Sequence, residues 1–279
     1  MFLKLAIRRL HFLLLSSVVF CSSVAFAVTV TTIDYPGATS TGASAINNSG
    51  DIVGSYVDSA KTTHGFLFSA GTYTTVDVPG AYSTNPLGIN NSGQISGYYY
   101  GSDSRTHGFF FDGTHYMTLD FPAALSTAAT GINNAEEVVG GFVDSNNVGH
   151  GFTWLNGTFT QIDVPNSQST SIYGINDAGV LAGAFTDAHG HFLSYARING
   201  TYQEYIIAGE FNGRINNHNT TVGFVANEGF RFNLNTKAYL KLQVPNSIVT
   251  SCFGINDNGT IVGYYEDKAG VQHGFSGQN

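Results

Sequence analysis

The chain has 279 residues, a formal net charge of −8, 34 glycines and a charged fraction of only 11%. Ordinary soluble domains carry about 25% charged residues, so the composition argues against long amphipathic helices, whose exposed faces need Glu and Lys. The 19 acidic residues against 11 basic ones argue against a nucleic-acid partner, and the 42% hydrophobic content argues against a disordered chain.

The first predicted element is a signal peptide over residues 1–27. Lys4, Arg8 and Arg9 precede an apolar run at 12–20 that is short for a membrane anchor, and Ala25-Phe26-Ala27 has the small-x-small pattern of a cleavage site. We therefore expect residues 28–279 to form the mature domain, secreted outside the cell or into the periplasm, with no membrane attachment after cleavage. Only Cys252 then remains, so an intrachain disulfide is excluded and a buried thiol is expected.

The remaining chain contains six copies of one unit, recognised by three elements. An Ile-Asn pair within G-I-N-[ND]-x-G-x-[IV]-x-G recurs every 40 or 43 residues, at Ile46, Ile89, Ile132, Ile175, Ile215 and Ile255. The triplet His-Gly-Phe follows at His64, His107, His150 and His273, and we interpret 189–192 (HGHF) as its fourth copy. An aliphatic residue, usually followed by Asp, then x-Pro, ends at Pro36, Pro79, Pro122, Pro165 and Pro245.

Each copy predicts four short strands separated by Asn-Gly and Asp-Gly turns. Four strands per repeat of this length are typical of a propeller blade. The mature chain opens with a fourth-strand element, 30–36, and closes with a third-strand element, 272–275. We therefore predict an all-β, six-bladed β-propeller with four antiparallel strands per blade, closed by the N-terminal strand completing the last blade. The alternative is a parallel β-solenoid, whose turns are shorter.

These tandem elements resemble the HAF family of bacterial extracellular repeats, which is named after a His-Ala-Phe-like triplet that reads His-Gly-Phe here. The resemblance covers essentially the whole mature chain. It implies export and a propeller-like array, but no reaction and no catalytic residues. The fifth copy departs most, because it lacks the His and carries Arg214 where the other copies have Gly or, in the first, Ala45.

We expect one face of the propeller to carry the binding site. The connections after the second and fourth strands, such as 58–63, 102–106 and 79–86, are longer and more varied than the other turns. Alternate connections of an up-and-down blade lie on the same side, so these loops share one face, the variable-loop face. Its Tyr- and Asn-rich positions suit sugars or a protein surface, namely Tyr82, Asn85, Tyr98, Tyr99, Asn146 and Asn147.

Five blades are predicted to place a His at the start of the third strand, shortly after an Asp. The candidate pairs are Asp58 and His64, Asp103 and His107, Asp144 and His150, Asp187 and His189, and Asp267 and His273. A residue repeated in nearly every blade is most simply explained by a hydrogen bond within the blade. The functional alternative is a binding role. The spacing does not suit a metal ion, so no metal site is predicted.

The residues that break the repeat are the other candidates. Arg214 replaces a small axial residue and is expected to point into the central channel or toward Glu210 or Glu228. It would then contact a ligand carboxylate or form an internal ion pair. His218 and Glu228 are also unique to the fifth copy.

The sequence contains no nucleophile elbow, phosphate loop, zinc signature or dinucleotide fingerprint, so no cofactor is predicted. The leading hypothesis is a secreted, monomeric, non-enzymatic binding or scaffold module for extracellular polysaccharide or protein. The alternative is an extracellular polysaccharide lyase or hydrolase with its site on the same face, which is an analogy at the level of the fold only.

Overall fold

A computed structural model of the chain describes residues 26–27, 29–207 and 209–278. Blade 1 contains β3 (Ser40–Ile46), β4 (Ile52–Val57), β5 (Thr63–Ser69) and β6 (Thr72–Thr75). Blade 2 contains β7 (Ser83–Ile89), β8 (Ile95–Tyr100), β9 (Thr106–Phe111) and β10 (Tyr116–Leu119). Blade 3 contains β11 (Ser126–Ile132), β12 (Val138–Val143), β13 (Gly149–Leu155) and β14 (Thr158–Ile162).

The second half repeats this arrangement with two exceptions. Blade 4 contains β15 (Ser169–Ile175), β16 (Leu181–Thr186), β17 (Phe192–Ile198) and β18 (Thr201–Tyr205). Blade 5 contains β19 (Thr220–Val225), β20 (Glu228–Asn233) and β21 (Tyr239–Gln243), with β1 (Phe26–Ala27) at its edge. Blade 6 contains β22 (Val249–Ile255), β23 (Ile261–Glu266) and β24 (Gln272–Gln278), followed by β2 (Thr29–Ile33).

The fold is the predicted six-bladed β-propeller. Neighbouring strands of each blade pair antiparallel in chain order, and β2 pairs antiparallel with β24, so the N-terminal strand closes the ring. The solenoid alternative is wrong, because each repeat forms its own four-stranded sheet. In this closure β2 is the edge strand of blade 6 and pairs with Gly274 to Gln278 of β24. No open end is left between the first and last blades.

Blade 5 departs from the prediction of four regular strands. Its innermost segment makes only two isolated bridges to β19, Ile215 with Thr221 and Glu210 with Phe224. At its outer edge, Phe26–Ala27 pairs in parallel with Leu242 and Gln243. Apart from these two residues, the predicted signal peptide lies outside the described residues. The described ranges contain no long apolar helix able to cross a membrane.

The inner strands meet at the axis through their Gly-Ile-Asn segments. A Cβ on Gly88 would lie 3.1 Å from the Cα of Gly131, and one on Gly174 would lie 2.9 Å from the Cα of Arg214. Glycine is therefore required at these positions by the close approach of neighbouring blades. The predicted thiol, Cys252, is buried in the core between blades 5 and 6, and its burial raises the pKa to about 12.

A closed ring of buried amides joins the six blades. The first Asn after each Ile donates from Nδ2 to the carbonyl of its counterpart in the next blade, over 2.9–3.2 Å. This buried ring consists of Asn47, Asn90, Asn133, Asn176, Asn216 and Asn256, all at most 6% exposed. The Oδ1 atom of each also accepts backbone N–H groups of its own turn, so the same side chain closes the hairpin and joins the blades.

A second ring lies at the rim of the axial channel. Each backbone N–H of the following residue donates to the side-chain Oδ1 of its counterpart in the next blade, over 2.8–2.9 Å. This rim ring consists of Asn48, Asn91, Asn134, Asp177, Asn217 and Asp257. We had interpreted the Asn-rich turns as hairpin turns only, and the structure shows that they also hold neighbouring blades together.

Candidate functional site

Four of the predicted His residues lie between two carboxylates at the variable-loop face. The Nε2 atom contacts the predicted Asp at 3.5 Å for His64 and Asp58, 3.1 Å for His107 and Asp103, 3.6 Å for His150 and Asp144, and 3.6 Å for His273 and Asp267. The Nδ1 atom contacts a second Asp more closely, over 2.6–2.9 Å. These second partners are Asp77, Asp120, Asp163 and Asp34.

The sequence analysis missed the second Asp of each cluster. It lies at the end of the fourth strand, in the Asp-x-Pro element, 13 residues after the His in blades 1 to 3. In blades 1, 3 and 6 its other oxygen accepts the N–H of the Gly after the His. The signal that could have revealed it is that Asp and His occur together in four copies, while both are absent from the other two.

In the clusters of blades 1, 2 and 6 the two carboxylates raise the pKa of the imidazole. Hydrogen bonding to Asp77 is the main cause that raises the pKa of His64, and bonding to Asp34 does the same for His273. Burial lowers the pKa of His107, but its bonds to Asp120 and Asp103 outweigh this and leave the pKa raised. A protonated ring donates from both nitrogens, which matches a carboxylate on each side.

The fourth and fifth copies need correction. In blade 4, Leu193 pairs with Phe185 as His64 pairs with Tyr56, so Leu193-Ser194-Tyr195 replaces His-Gly-Phe. His189 and His191 instead lie in the preceding turn, where His191 contacts Asp187 at 3.0 Å. In blade 5 Glu228 occupies the His position and pairs with Lys241.

Arg214 points into the central channel, and its predicted ion pair with Glu210 or Glu228 is wrong. Its Nε donates to the Leu87 carbonyl at 2.7 Å, its Nη1 to the Tyr173 carbonyl at 3.0 Å, and its Nη2 to Leu87 as well. Burial lowers its pKa to about 9. The guanidinium therefore crosses from blade 5 to blades 2 and 4, with its donors taken by backbone carbonyls.

An aromatic ring from the preceding linker covers the site in blades 1 and 3. Tyr35 stacks on Tyr56 with ring centroids 3.6 Å apart, and Phe121 stacks on Phe142 at 3.7 Å. Each covering ring also meets an aromatic of the fourth strand edge-on, Tyr73 at 5.3 Å in blade 1. The covered ring lies in turn against the His of its own blade. These two sites are thus filled by the protein itself.

Blade 2 has the same site without the covering ring. Val78 takes the place of Tyr35 and Phe121, so Tyr99 and Tyr116 line a groove of about 610 Å³. Tyr99 stacks on His107 at 5.0 Å, and its hydroxyl lies 3.0 Å from that of Thr118. The groove occupies the space that an aromatic ring fills in blades 1 and 3.

A second sequence change lies in the lining of the same groove. Gly101 stands where blades 1, 3 and 6 have Asp58, Asp144 and Asp267, and the carboxylate comes instead from Asp103. A Cβ at Gly101 would lie 2.8 Å from Asp103 Oδ1, so Gly leaves room for this carboxylate beside His107. The Asp103 side chain is 48% exposed at the groove and accepts from His107. The bond from His107 also lowers the pKa of Asp103, which therefore stays ionised.

Blades 4 and 6 also follow a linker with Val at the position of Val78, but they do not form this arrangement. In blade 4 the residue matching Tyr99 is Phe185, which is buried and has no hydroxyl. In blade 6, Val30 replaces the wall formed by Tyr116. Blade 2 alone combines a Tyr floor, a second Tyr wall and a charged His–Asp cluster.

The predicted Tyr and Asn positions divide between strands and loops. Tyr98, Tyr99 and Asn85 lie in strands β8 and β7, whereas Tyr82 lies in the linker before β7. The rings of Tyr82 and Tyr100 are 6.2 Å apart and are 59% and 38% exposed. Tyr100 directly follows Tyr99 in β8, so its ring projects from the other face of the sheet, and neither Tyr82 nor Tyr100 lines the groove. Among the described residues, no group of three or more His, Cys, Asp or Glu side chains is arranged to hold a metal ion.

No family model matches the chain, and no curated protein does. The resemblance to HAF repeats therefore stays a proposal. Solved structures do match. The SapL1 lectin in complex with alpha methyl fucoside is 13% identical, with a TM-score of 0.56, over 86% of this chain and 93% of that one. A mutant Aleuria aurantia lectin in complex with Fucalpha1-6GlcNAc is 11% identical, with a TM-score of 0.51, over 85% and 91%.

A third match is TolB from Acinetobacter baumannii, which is 10% identical with a TM-score of 0.53. The match covers 90% of this chain but 55% of that one. At such identities the likeness concerns the path of the backbone and not the residues of any site. By its fold, the chain is a six-bladed β-propeller similar to those of these proteins.

Proposed function

We propose that the protein is a secreted, monomeric, non-enzymatic module that binds a neutral saccharide in the blade 2 groove. The observation that carries this proposal is the uncovered Tyr99. Its counterparts in blades 1 and 3 lie under a stacked aromatic ring, whereas Tyr99 has only Val78 in that place.

The shape of the groove suits a six-membered sugar ring. In blade 1 a flat ring fits between Tyr56 and Tyr73, and the matching walls of blade 2 are Tyr99 and Tyr116. One face of a pyranose presents C–H groups that pack on an aromatic face, whose π-cloud is electron-rich. The volume of about 610 Å³ lies within the range of small-molecule sites.

The polar groups at the groove match hydroxyls. Asp103 offers carboxylate oxygens, while Thr118 and His115 line the opposite side. A carboxylate accepts strong hydrogen bonds from neutral hydroxyl groups but repels an anionic ligand. In this groove the Asp103 carboxylate therefore favours a neutral saccharide over a uronate or sulfated one.

The lectins reported above support the proposal only as examples of sugar-bound propellers of similar shape. Export by a signal peptide would place the protein where polysaccharides are found.

A glycan array with the mature protein, followed by calorimetry on the best neutral ligand, tests the proposal. Tyr99→Ala and Val78→Phe should each weaken binding by about tenfold, since an aromatic contact contributes about 0.5–1.5 kcal/mol beyond the area it buries and about 1.4 kcal/mol corresponds to tenfold. Val78→Phe copies the covering ring of blade 3 and should keep the fold intact. Tyr56→Ala, the matched change under the cover of blade 1, should leave affinity unchanged.

Two results would overturn the proposal. Full binding by both Tyr99→Ala and Val78→Phe would exclude the groove as the site. New reducing ends or unsaturated uronates after incubation with a polysaccharide would show that the protein is an enzyme, the alternative set out from the sequence.

A further inference from the structure

A second groove lies on the opposite face of the propeller, between blades 5 and 6. It has a volume of about 540 Å³. Its floor is apolar, with Leu240 from β21 and Ile255 from β22, and its polar rim includes His218 and Thr236. Arg231, which is half-buried on strand β20, also lines the groove.

Arg231 is a feature of blade 5 alone. It pairs with Val222 in the sheet, and the equivalent positions of the other blades hold uncharged residues. These are Leu67, Phe110, Thr153, Ala196 and Ser276. The charge therefore contributes nothing that the blade architecture needs.

No described residue supplies Arg231 with a hydrogen-bond or ion-pair partner, and unlike Arg197, which lies 5.7 Å from the centre of the Tyr202 ring, it is not placed over an aromatic ring. Three other half-buried cations have such partners. Arg214 donates to backbone carbonyls, Lys241 pairs with Glu228, and Lys237 lies over the ring of Tyr205 at 4.3 Å while donating to the Leu234 carbonyl. The nitrogens of Arg231 are not among the buried polar atoms without a partner, so its donors open to the groove and are free to bind an acceptor there.

The blade carries no acid at the position that is acidic in blades 1 and 3 and uncharged in the other four. The fourth residue after the buried-ring Asn is Asp51 in blade 1 and Glu137 in blade 3, but Thr220 in blade 5. Thr220 instead accepts from Asn233, which also donates to the His218 carbonyl. The groove wall next to Arg231 is therefore neutral.

The remaining acid of the groove, Asp257, is already engaged. Its Oδ2 accepts from Asn48 at 2.7 Å and from Asn217 at 2.9 Å, and its Oδ1 accepts from the Asn217 backbone at 2.8 Å. Burial raises the pKa of Asp257, but these bonds outweigh it and lower the pKa. Asp257 thus belongs to the rim ring and leaves Arg231 to solvent or to a ligand.

We propose that the groove between blades 5 and 6 is a second binding site, which takes a small organic anion through its carboxylate or sulfate group. The planar fork of Arg231 matches either oxyanion with two parallel hydrogen bonds. The body of the ligand lies on Leu240 and Ile255, and His218 adds a further donor at the rim. The site is independent of the blade 2 groove and lies on the other face.

Calorimetry or thermal shift with the mature protein tests the site, using glucuronate, glucose 6-sulfate and uncharged glucose as probes at one ionic strength. At least one of the two anions should bind, and glucose should bind this groove at least about tenfold more weakly. Which anion binds more tightly distinguishes the carboxylate from the sulfate. Arg231→Gln, which keeps a polar side chain of similar reach, should weaken the anion at least about tenfold.

Two variants serve as controls. Arg105→Gln removes the same charge from the variable-loop face and should leave anion binding unchanged. Tyr99→Ala should also leave it unchanged, which separates this site from the saccharide groove. The proposal is overturned if neither anion binds, or if Arg231→Gln binds the anions as the unmodified protein does. Failure of the saccharide groove would show instead as loss of neutral-sugar binding alone.

Discussion

The axis and the outer wall of blade 2 use the repeat in opposite ways. At the axis, six copies of one Asn make six equivalent hydrogen bonds, each to a backbone carbonyl of the next blade. At the wall, blade 2 differs from blades 1 and 3 by having Val78 where they have an aromatic ring. Repetition therefore serves closure of the ring, whereas a local departure from it opens a site.

The difference follows from burial. A buried amide that loses its partner leaves unsatisfied groups in both blades, so the axis tolerates little change. The wall faces solvent, where replacing an aromatic ring by valine exposes a groove that water or a ligand can fill. Arg214 shows that the axis tolerates one larger residue, because the backbone carbonyls of Leu87 and Tyr173 accept its hydrogen bonds.

The largest effect is expected from breaking the buried ring. Asn133→Ala removes a bond of 3.2 Å to the Asn176 carbonyl and leaves the N–H groups of Ala135 and Glu137 without their acceptor. We expect a loss of about 3 kcal/mol in the free energy of unfolding, measured by chemical denaturation. Asn134→Ala, the neighbour in the exposed rim ring, should cost about 1 kcal/mol. Equal losses for the two variants would contradict the distinction between buried and rim rings.

An intermediate effect is expected from opening blade 1. Tyr35→Val removes the ring stacked on Tyr56 and its bond to Thr75, and should cost about 2 kcal/mol of stability. It also gives blade 1 the Val of blade 2, so a second neutral-saccharide site should appear. Calorimetry would show the stoichiometry rise from one to two. A stoichiometry that stays at one, with the variant folded, would mean that the missing cover is not what makes blade 2 a site.

The smallest effect is expected from pH. The pKa values of His64, His107 and His273 are raised above 6.5 in the folded chain, so their protons stabilise it fully below pH 6.5. That stability is lost as the pH rises through the folded pKa values. The melting temperature should therefore fall as the pH rises above 6.5. Replacing all three His by Gln should flatten this part of the profile, and an unchanged slope would exclude the clusters as its cause.

Much of the fold followed from local patterns in the chain. The Gly-Ile-Asn segment was predicted to be the innermost strand because small residues suit the crowded axis, and the halves of a repeat at the two ends predicted closure. The irregular inner segment of blade 5 and the parallel pairing of Phe26–Ala27 were not predicted. Neither has a repeated pattern, since each depends on how one blade packs against its neighbours.

The site was predicted less completely. The His residues and their nearer Asp partners were found because they lie within a few positions of each other. The second Asp of each cluster, which lies closer to the His, was missed because it belongs to a different strand. For His273 this partner is Asp34, which is far away in the sequence. Tyr99 was chosen only because it lies among the Tyr- and Asn-rich positions. Nothing in its own segment shows whether an aromatic ring from the preceding linker covers it.

The sequence by itself determined the number of blades, their order and the closure of the ring. Strand periodicity and turn chemistry are local properties, and they are repeated six times. Only the tertiary structure decided which of the copies are open. That depends on side chains from neighbouring blades, such as Tyr35, Phe121 and Val78, which meet across linkers. The tertiary structure also decided the partners of the two arginines of blade 5. Arg214 donates to backbone carbonyls, whereas Arg231 has no described partner.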